Sequence, residues 1–139
     1  MALYLADTNI YVSAANDPAV RHRFETFIQQ HGPLVVSAVV VAEVLIGLPG
    51  DRHHDAAKAI TAGGACLEPS PDDWLVAAQV VVKLCGARIT KSRSFWNDVL
   101  LAALCSRLGL TLVTANLPDF RRIGRHLPLE SVAPFPRAR

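Results

Sequence analysis

The fold is decided by Ala2-Leu3-Tyr4-Leu5-Ala6-Asp7-Thr8-Asn9, a short apolar run that ends in one carboxylate and two hydrogen-bonding side chains. Asp7 is the only charged side chain before Asp17. Open α/β sheets bind their ligands in the crevice beyond the C-terminal ends of the strands. The pattern therefore predicts a buried first strand with Asp7 at the edge where such a sheet carries its functional groups.

The composition is that of a compact globular domain. A chain of 139 residues is long enough to bury a core without disulfides or a structural metal. Apolar residues make up 51% of it and charged residues 19%, which excludes a disordered chain. The net charge of +2 is compatible with a polyanionic partner but does not require one.

The sequence predicts a cytoplasmic protein without a membrane span. The N-terminal run has no basic leader, and Asp7 interrupts the apolar segment that a secretory signal needs. The longest nearly uncharged run, 32–50, contains Glu43 and two prolines, which disfavours a transmembrane helix. The cysteines form no Cys-x-x-Cys pair, and we interpret them as reduced core thiols. They are Cys66, Cys85 and Cys105.

Short apolar runs alternate with helical segments along the chain. We predict strands over residues 2–6, 34–36, 65–67, 110–114 and 129–132, and helices over 8–15, 18–30, 38–46, 52–62, 71–85 and 94–108. Ser70-Pro71-Asp72-Asp73 is the clearest helix start, and Asp51 is a candidate cap for the fourth helix. For Val39-Val40-Val41 a strand is the alternative to a helix.

This alternation predicts the α/β class, with a short parallel sheet of about five strands flanked by helices on both faces. We expect one domain over residues 1–133, followed by a loose tail over 134–139.

Two further acids are isolated in the same way as Asp7. Glu43 is the only charged residue from 32 to 50, and Asp98 is the only one from 94 to 106. If the three converge beyond the sheet, their repulsion raises at least one pKa unless a divalent cation neutralises them. Carboxylate oxygens are hard ligands that suit Mg²⁺ or Mn²⁺ better than Zn²⁺.

Each acid also has an ordinary structural interpretation. Asp7 can cap the following helix, Glu43 can face solvent at a helix end, and Asp98 can be a first-turn acid favoured by the helix dipole. Three solitary acids set inside apolar chain nevertheless fit a shared metal site better than three separate explanations.

Four motifs occur in an order that resembles a known family. Asp7-Thr8-Asn9 follows the first strand, Glu43 lies in an apolar helix, Asn97-Asp98 begins an Ala/Leu-rich helix, and Thr114-Ala115-Asn116-Leu117-Pro118-Asp119-Phe120 follows the fourth strand. Together they resemble the PIN-domain family, and within it the prokaryotic toxin ribonucleases of VapC type. The resemblance covers almost the whole chain.

The resemblance implies an acidic pocket that binds one or two Mg²⁺ or Mn²⁺ ions and supports endoribonuclease activity. By position, Asp7, Glu43 and Asp98 match the three principal acids of the family. The fourth position departs from the family, because Asn116 stands where Asp is common, and Asp119 follows three residues later. Either residue is a candidate for that position, and the number of metal ions depends on which one fills it.

Three polar residues are candidates for orienting the carboxylates and a water molecule: Thr8, Asn9 and Thr114. Their alternative interpretation is purely local, since Thr8 and Asn9 can begin a helix and Thr114 can end a strand.

An acidic pocket needs cationic side chains beside it to hold RNA. One candidate cluster precedes Asp98 and the other follows Asp119, although solvated surface is an equally good interpretation of each residue. The candidates are Arg88, Lys91 and Arg93 in the first cluster and Arg121, Arg122 and Arg125 in the second.

The resemblance also implies a biological role and partners. The protein would be the toxin of a type II, VapBC-like toxin–antitoxin pair. Its partner would be a small antitoxin whose C-terminal segment lies across the acidic pocket and offers a cation. A homodimer through helices of the N-terminal half is implied as well, with a hetero-oligomer once the antitoxin binds.

Other α/β classes that gather acids at strand ends fit less well. A receiver domain needs an acid pair after the first strand and a late Lys, and a haloacid-dehalogenase-type phosphatase needs an Asp where Asn9 stands. The main alternative is a catalytically weak or inactive PIN-like module that binds RNA or a protein partner. That outcome is expected if the change at the fourth position has removed the metal site.

Overall fold

The computed structural model describes residues 3–62, 65–85 and 93–133, with the backbone alone described at 93 and 94. The predicted tail, 134–139, lies outside the described residues. The strands are β1 (Tyr4–Ala6), β2 (Val36–Ser37), β3 (Cys66–Leu67), β4 (Thr111–Val113) and β5 (Glu130–Val132). The α-helices are α1 (Thr8–Asn16), α2 (Pro18–His31), α3 (Ala38–Ile46), α4 (His53–Thr61), α5 (Pro71–Cys85), α6 (Arg93–Leu108) and α7 (Leu117–Ile123).

The strands pair in parallel throughout the described chain. β4 lies between β1 and β5 in a three-stranded sheet, and β2 pairs with β3. A parallel bridge between Leu5 and Val35 joins the two parts, and the Val35 N–H donates to the Tyr4 carbonyl over 2.8 Å. The resulting order is β3-β2-β1-β4-β5, which confirms a short parallel sheet of about five strands.

Helices cover both faces of this sheet. Leu5 of β1 and Leu112 of β4 belong to a buried cluster with side chains of α5, α6 and α7. The next residues along the two strands, Ala6 and Val113, belong to a second cluster with side chains of α1 and α2. Because successive strand residues point to opposite faces, the two clusters are the two sides of the sheet.

The predicted start of α5 at Ser70 is confirmed as a reciprocal cap. The Ser70 N–H donates to Asp73 Oδ2 over 2.8 Å, and the Asp73 N–H donates to Ser70 Oγ over 3.2 Å. Arg107 near the end of α6 donates to both oxygens of Asp73, over 2.8 and 3.0 Å. Burial raises the pKa of Asp73, but hydrogen bonds from Arg107 and Ser70 outweigh it and bring the pKa below its ordinary value.

The segment Val39-Val40-Val41 is helical, so the strand alternative is wrong. Ser37 ends β2 and also caps α3, because its hydroxyl accepts the Val39 N–H over 3.2 Å. An N-terminal cap and the nine-residue length of α3 outweigh the β preference of three valines.

Two features of the helices differ from the sequence-based expectation. The predicted Asp51 cap is wrong, because Gly50–Arg52 form a 3₁₀ turn and α4 begins at His53 without a side-chain cap bond. Helix α7 was not predicted, although Pro118 in its first turn suits a helix start.

At the end of α6, Gly109 adopts a φ of 66°, a left-handed conformation that favours glycine and stops the helix as expected.

The three cysteines carry free thiols, and the half-buried Cys85 packs against the core cluster that contains Cys105, as predicted. Cys105 is buried in α6, and burial, together with the charges of Asp7 and Asp73, raises its pKa to about 12. Cys66 in β3 is exposed, so its predicted core position is wrong.

No helix in the described ranges is both long and apolar enough to cross a membrane.

Candidate active site

Asp7 lies at the C-terminal end of β1 and has two structural roles. Its Oδ1 accepts the Thr8 N–H over 2.7 Å, which caps α1 as the local interpretation suggested. Its Oδ2 accepts the Asn9 amide and the Thr114 hydroxyl, each over 3.0 Å. Burial raises the pKa of Asp7, the Thr8 and Thr114 hydrogen bonds oppose this, and Glu43 adds to the rise.

Glu43 lies in α3 and is linked to α1. The Thr8 hydroxyl donates to Glu43 Oε1 over 3.0 Å. The side chain is half-buried rather than facing solvent at a helix end, so the local interpretation of this acid is wrong. Thr8 therefore orients one carboxylate through its hydroxyl and a second through its backbone N–H.

Asp98 is the sixth residue of α6, because that helix begins at Arg93. It is therefore not a first-turn acid, and the helix dipole does not explain its position. Burial, followed by the negative charges of Asp7, Glu43 and Asp119, raises the pKa of Asp98 to about 8. Four acids that are far apart in sequence thus share one electrostatic environment.

An open cleft of about 310 Å³ brings the isolated acids together. Its wall is formed by residues of α1, α3, α6 and the segment after β4. They are Asp7, Thr8, Asn9, Val12, Glu43, Asp98 and Asn116. Val12 was missed in the sequence, although its position one helical turn after Thr8 could have placed it on the same face of α1.

The segment after β4 completes the polar network behind the cleft. The Thr114 hydroxyl accepts the Asn116 N–H over 3.0 Å, and Asn9 Oδ1 accepts the Ala115 N–H over 3.3 Å. The Asn116 amide donates to Asp119 Oδ2 over 2.9 Å. The predicted orienting residues Thr8, Asn9 and Thr114 therefore all contact a carboxylate or the backbone at the cleft.

The donor chemistry of this cleft fits a hard divalent cation. Three carboxylates and the amides of Asn9 and Asn116 line it, and oxygen donors of this kind are what Mg²⁺ and Mn²⁺ prefer. Among the described residues, however, no group of three or more His, Cys, Asp or Glu side chains is already arranged to hold a metal ion.

The basic candidates are only partly described. Arg121 and Arg122 are exposed on α7, and the Arg122 guanidinium lies 5.7 Å from the centre of the Phe95 ring. Phe95 precedes Asp98 by three residues on α6, so this contact joins α7 to the helix that carries the acid. Arg88, Lys91 and the side chain of Arg93 lie outside the described residues.

Comparison with solved structures identifies the same fold elsewhere. VapBC-1 from nontypeable Haemophilus influenzae is 23% identical, with a TM-score of 0.73, and the match covers 95% of this chain and 98% of that one. VapBC2 from Rickettsia felis, bound to a DNA fragment from their promoter, is 21% identical, with a TM-score of 0.67 and coverages of 94% and 98%. FitAcB from Neisseria gonorrhoeae is 21% identical, with a TM-score of 0.68 and coverages of 95% and 98%.

The fold and the cleft define an α/β protein with carboxylates gathered beyond the ends of its parallel strands. The model of one family, described as the PIN domain, matches residues 4–126. The chain therefore belongs to the PIN domain family. A comparison with curated proteins gives no match.

Proposed function

We propose that this PIN domain is a Mg²⁺- or Mn²⁺-dependent endoribonuclease that hydrolyses phosphodiester bonds in RNA. The observation that carries the proposal is the convergence of Asp7, Glu43 and Asp98 in one cleft. They come from different elements of the chain, and their local interpretations account only for Asp7. Membership of the PIN domain family supports the same activity.

The chain's own residues have distinct roles in this proposal. Asp7, Glu43 and Asp98 would hold the cation, with Asn116 or Asp119 at the fourth position. Asp7 is fixed by three hydrogen bonds, and Glu43 is fixed by the Thr8 hydroxyl. A cation bound there would supply an activated water and polarise the scissile phosphate.

Cationic side chains on one edge of the cleft would hold the RNA backbone. Arg121 and Arg122 on α7 are exposed and close in sequence to Asp119. We extend this role to Arg88, Lys91 and Arg93, which precede Asp98 in the chain. Replacing Arg121 with Ala should raise KM for RNA more than it lowers kcat, because a phosphate contact contributes mainly to binding.

The activity is tested with Asp98→Asn. Cleavage of a structured RNA in Mn²⁺ should fall at least about a hundredfold, because losing even an indirect metal contact costs about 10- to 100-fold. Asp72→Asn is the matched control, since Asp72 is an exposed acid on α5 outside the cleft. Undiminished cleavage by Asp98→Asn would contradict the proposal.

A second candidate is a PIN-fold module that binds RNA or a protein partner without cleaving RNA. It is favoured by Asn116, because a neutral amide stands in the cleft wall where a fourth carboxylate would attract a cation more strongly. Thermal unfolding in Mn²⁺ separates the two, because only a protein with a metal site gains stability from the ion. A Tm that is unchanged by millimolar Mn²⁺ would favour the inactive module.

We further propose that the protein is the toxin of a VapBC-like toxin–antitoxin pair and acts on cytoplasmic RNA. The proposal is supported by the family and by the fold shared with VapBC and FitAcB structures. The antitoxin would be a small protein whose C-terminal segment enters the acidic cleft with a cation. Affinity purification from native cells should recover such a partner, and Asp7→Asn with Asp98→Asn should weaken its binding.

A homodimer through helices of the N-terminal half is part of the same proposal. Ile46 at the end of α3 is 82% exposed and is the natural position to test. The exposed apolar residues on α5, such as Leu75 at 63%, provide a comparison surface. Ile46→Glu should shift the sedimentation of the protein toward monomer, whereas Leu75→Glu should not.

A further inference from the structure

The hydrogen bond between Asn116 and Asp119 determines how the fourth side of the cleft is built. Asn116 lines the cleft together with Asp7, Glu43 and Asp98, whereas Asp119 is not among the lining residues. Asp119 instead accepts the Asn116 amide over 2.9 Å. Asp119 is thus paired with the amide, although its charge still contributes to the raised pKa of Asp98.

The chemistry of the two side chains fixes the orientation of the amide. An ionised carboxylate has no proton to donate, so the bond to Asp119 must come from the NH₂ group of Asn116. The Asn116 backbone is held as well, because its N–H donates to Thr114 Oγ1 over 3.0 Å. Because the NH₂ group of Asn116 is bonded to Asp119, the carbonyl oxygen Oδ1 is the atom of this side chain that can bind a cation in the cleft.

We propose that Asn116 Oδ1 is the fourth oxygen donor for the cation and that Asp119 is a positioning residue that holds the amide in place. This inference rests on the proposed metal-dependent function. A neutral amide oxygen is an accepted ligand for hard cations but adds no negative charge. Three carboxylates and one amide therefore suit one divalent ion, and we infer a single ion per chain.

Calorimetric titration with Mn²⁺ tests the proposal on four proteins: wild type, Asn116→Ala, Asp119→Ala and Asp119→Asn. Wild type should bind one ion. Asn116→Ala should weaken binding about tenfold because it removes the donor, and Asp119→Ala should do the same because it frees the amide. Asp119→Asn should stay within about threefold of wild type, because its carbonyl oxygen still accepts the Asn116 NH₂ group.

Thermal unfolding in EDTA separates metal binding from stability. In EDTA the Tm of Asp119→Ala should lie slightly below that of Asp119→Asn, because alanine no longer accepts the Asn116 NH₂ group, and Mn²⁺ should widen this difference. If Asn116→Ala does not fold, Asn116→Ser is used instead. The serine hydroxyl is too short to reach as far into the cleft as the amide oxygen of Asn116.

Three results would overturn the inference while leaving the proposed function intact. They are Mn²⁺ binding by Asn116→Ala that is as tight as in wild type, equal losses for Asp119→Asn and Asp119→Ala, and two ions bound to wild type. The second result would show that Asp119 acts through its charge. Failure of the wild type to bind Mn²⁺ would instead contradict the proposed function itself.

Discussion

The hydroxyl of Thr114 donates to Oδ2 of Asp7 over 3.0 Å, across 107 residues of sequence. Thr114 is fully buried just after β4, and Asp7 lies just after β1. The same hydroxyl accepts the N–H of Asn116. One oxygen atom therefore joins the first acid of the cleft to the segment that forms its fourth side.

Thr114→Val should impair RNA cleavage more than it impairs folding. The variant keeps the shape of the side chain but removes the donor to Asp7 and the acceptor for Asn116. Cleavage should fall about 10- to 100-fold, and the free energy of unfolding should fall by about 1 to 3 kcal/mol. RNA cleavage assays and urea unfolding measure the two effects.

Thr111→Val is the matched control for that variant. Thr111 begins β4 and is buried, and its hydroxyl makes a long contact of 3.5 Å to Glu130. Cleavage should remain within about twofold of wild type, because the variant leaves intact the hydrogen bonds that hold the carboxylates of the cleft. Equal losses of activity in the two variants would show that the Thr114 effect is not specific to the cleft.

The stability of the metal-free protein should decrease as the pH rises from about 4 to about 8. The pKa of Asp98 is about 8 in the folded protein, against an ordinary value of 3.8. Because the folded-state pKa is the higher one, this contribution is fully present below about pH 4 and is lost as the pH rises through 8. The Tm in EDTA should therefore fall between about pH 4 and pH 8 and level off above pH 8.

Asp98→Asn should remove most of that decrease, because an amide does not titrate. Mn²⁺ should reverse the trend in wild type, since metal ligands bind in their deprotonated form. A wild-type Tm in EDTA that is constant over this range would contradict the raised pKa of Asp98.

The cap at the start of α5 should contribute to stability without contributing to activity. Asp73→Ala removes the acceptor for the Ser70 N–H and for Arg107, and should cost about 1 to 2 kcal/mol. Since the folded-state pKa of Asp73 is lowered, its contribution should be present above about pH 4 and lost in more acidic solution. Asp72→Ala, at a neighbouring exposed position, should cost less than half as much in urea unfolding.

The cysteines should differ sharply in reactivity. Cys66 is exposed, whereas burial raises the pKa of Cys105 to about 12 and shields its thiol. Iodoacetamide at pH 8 should modify Cys66 within minutes and leave Cys105 intact until the protein unfolds. Mass spectrometry of the labelled peptides identifies the modified thiol, and early modification of Cys105 would contradict its burial.

Local chemistry in the sequence predicted most of the elements. The reciprocal cap of Ser70 and Asp73 and the Asp17-Pro18 start of α2 depend on neighbouring residues alone, so they could be identified without a structure. Helix α7 was missed because its seven residues carry a weak apolar pattern and Asn116 makes no cap bond. The Asp51 cap failed because a 3₁₀ turn precedes α4.

The acids of the cleft were found because each is isolated in apolar chain, which is a property of the sequence. The supporting residues Thr8, Asn9 and Thr114 were predicted as well. Which acid each one contacts could not be predicted, because pairs such as Thr8 with Glu43 and Thr114 with Asp7 are distant in sequence. The sequence also left open which of the two side chains, Asn116 or Asp119, lines the cleft. Spacing placed both near the cleft, but only the hydrogen-bond geometry shows which side chain lines it.

The central place of β1 in the sheet has a consequence for synthesis of the protein. β1 leaves the ribosome early, yet its partner β4 begins at Thr111, so the pairing must wait for most of the chain. Closing so long a loop is slow, because its entropy is lost before the contact forms. A nascent chain that ends before Asn116 has no complete cleft, so the activity proposed above would begin only after most of this domain has been translated.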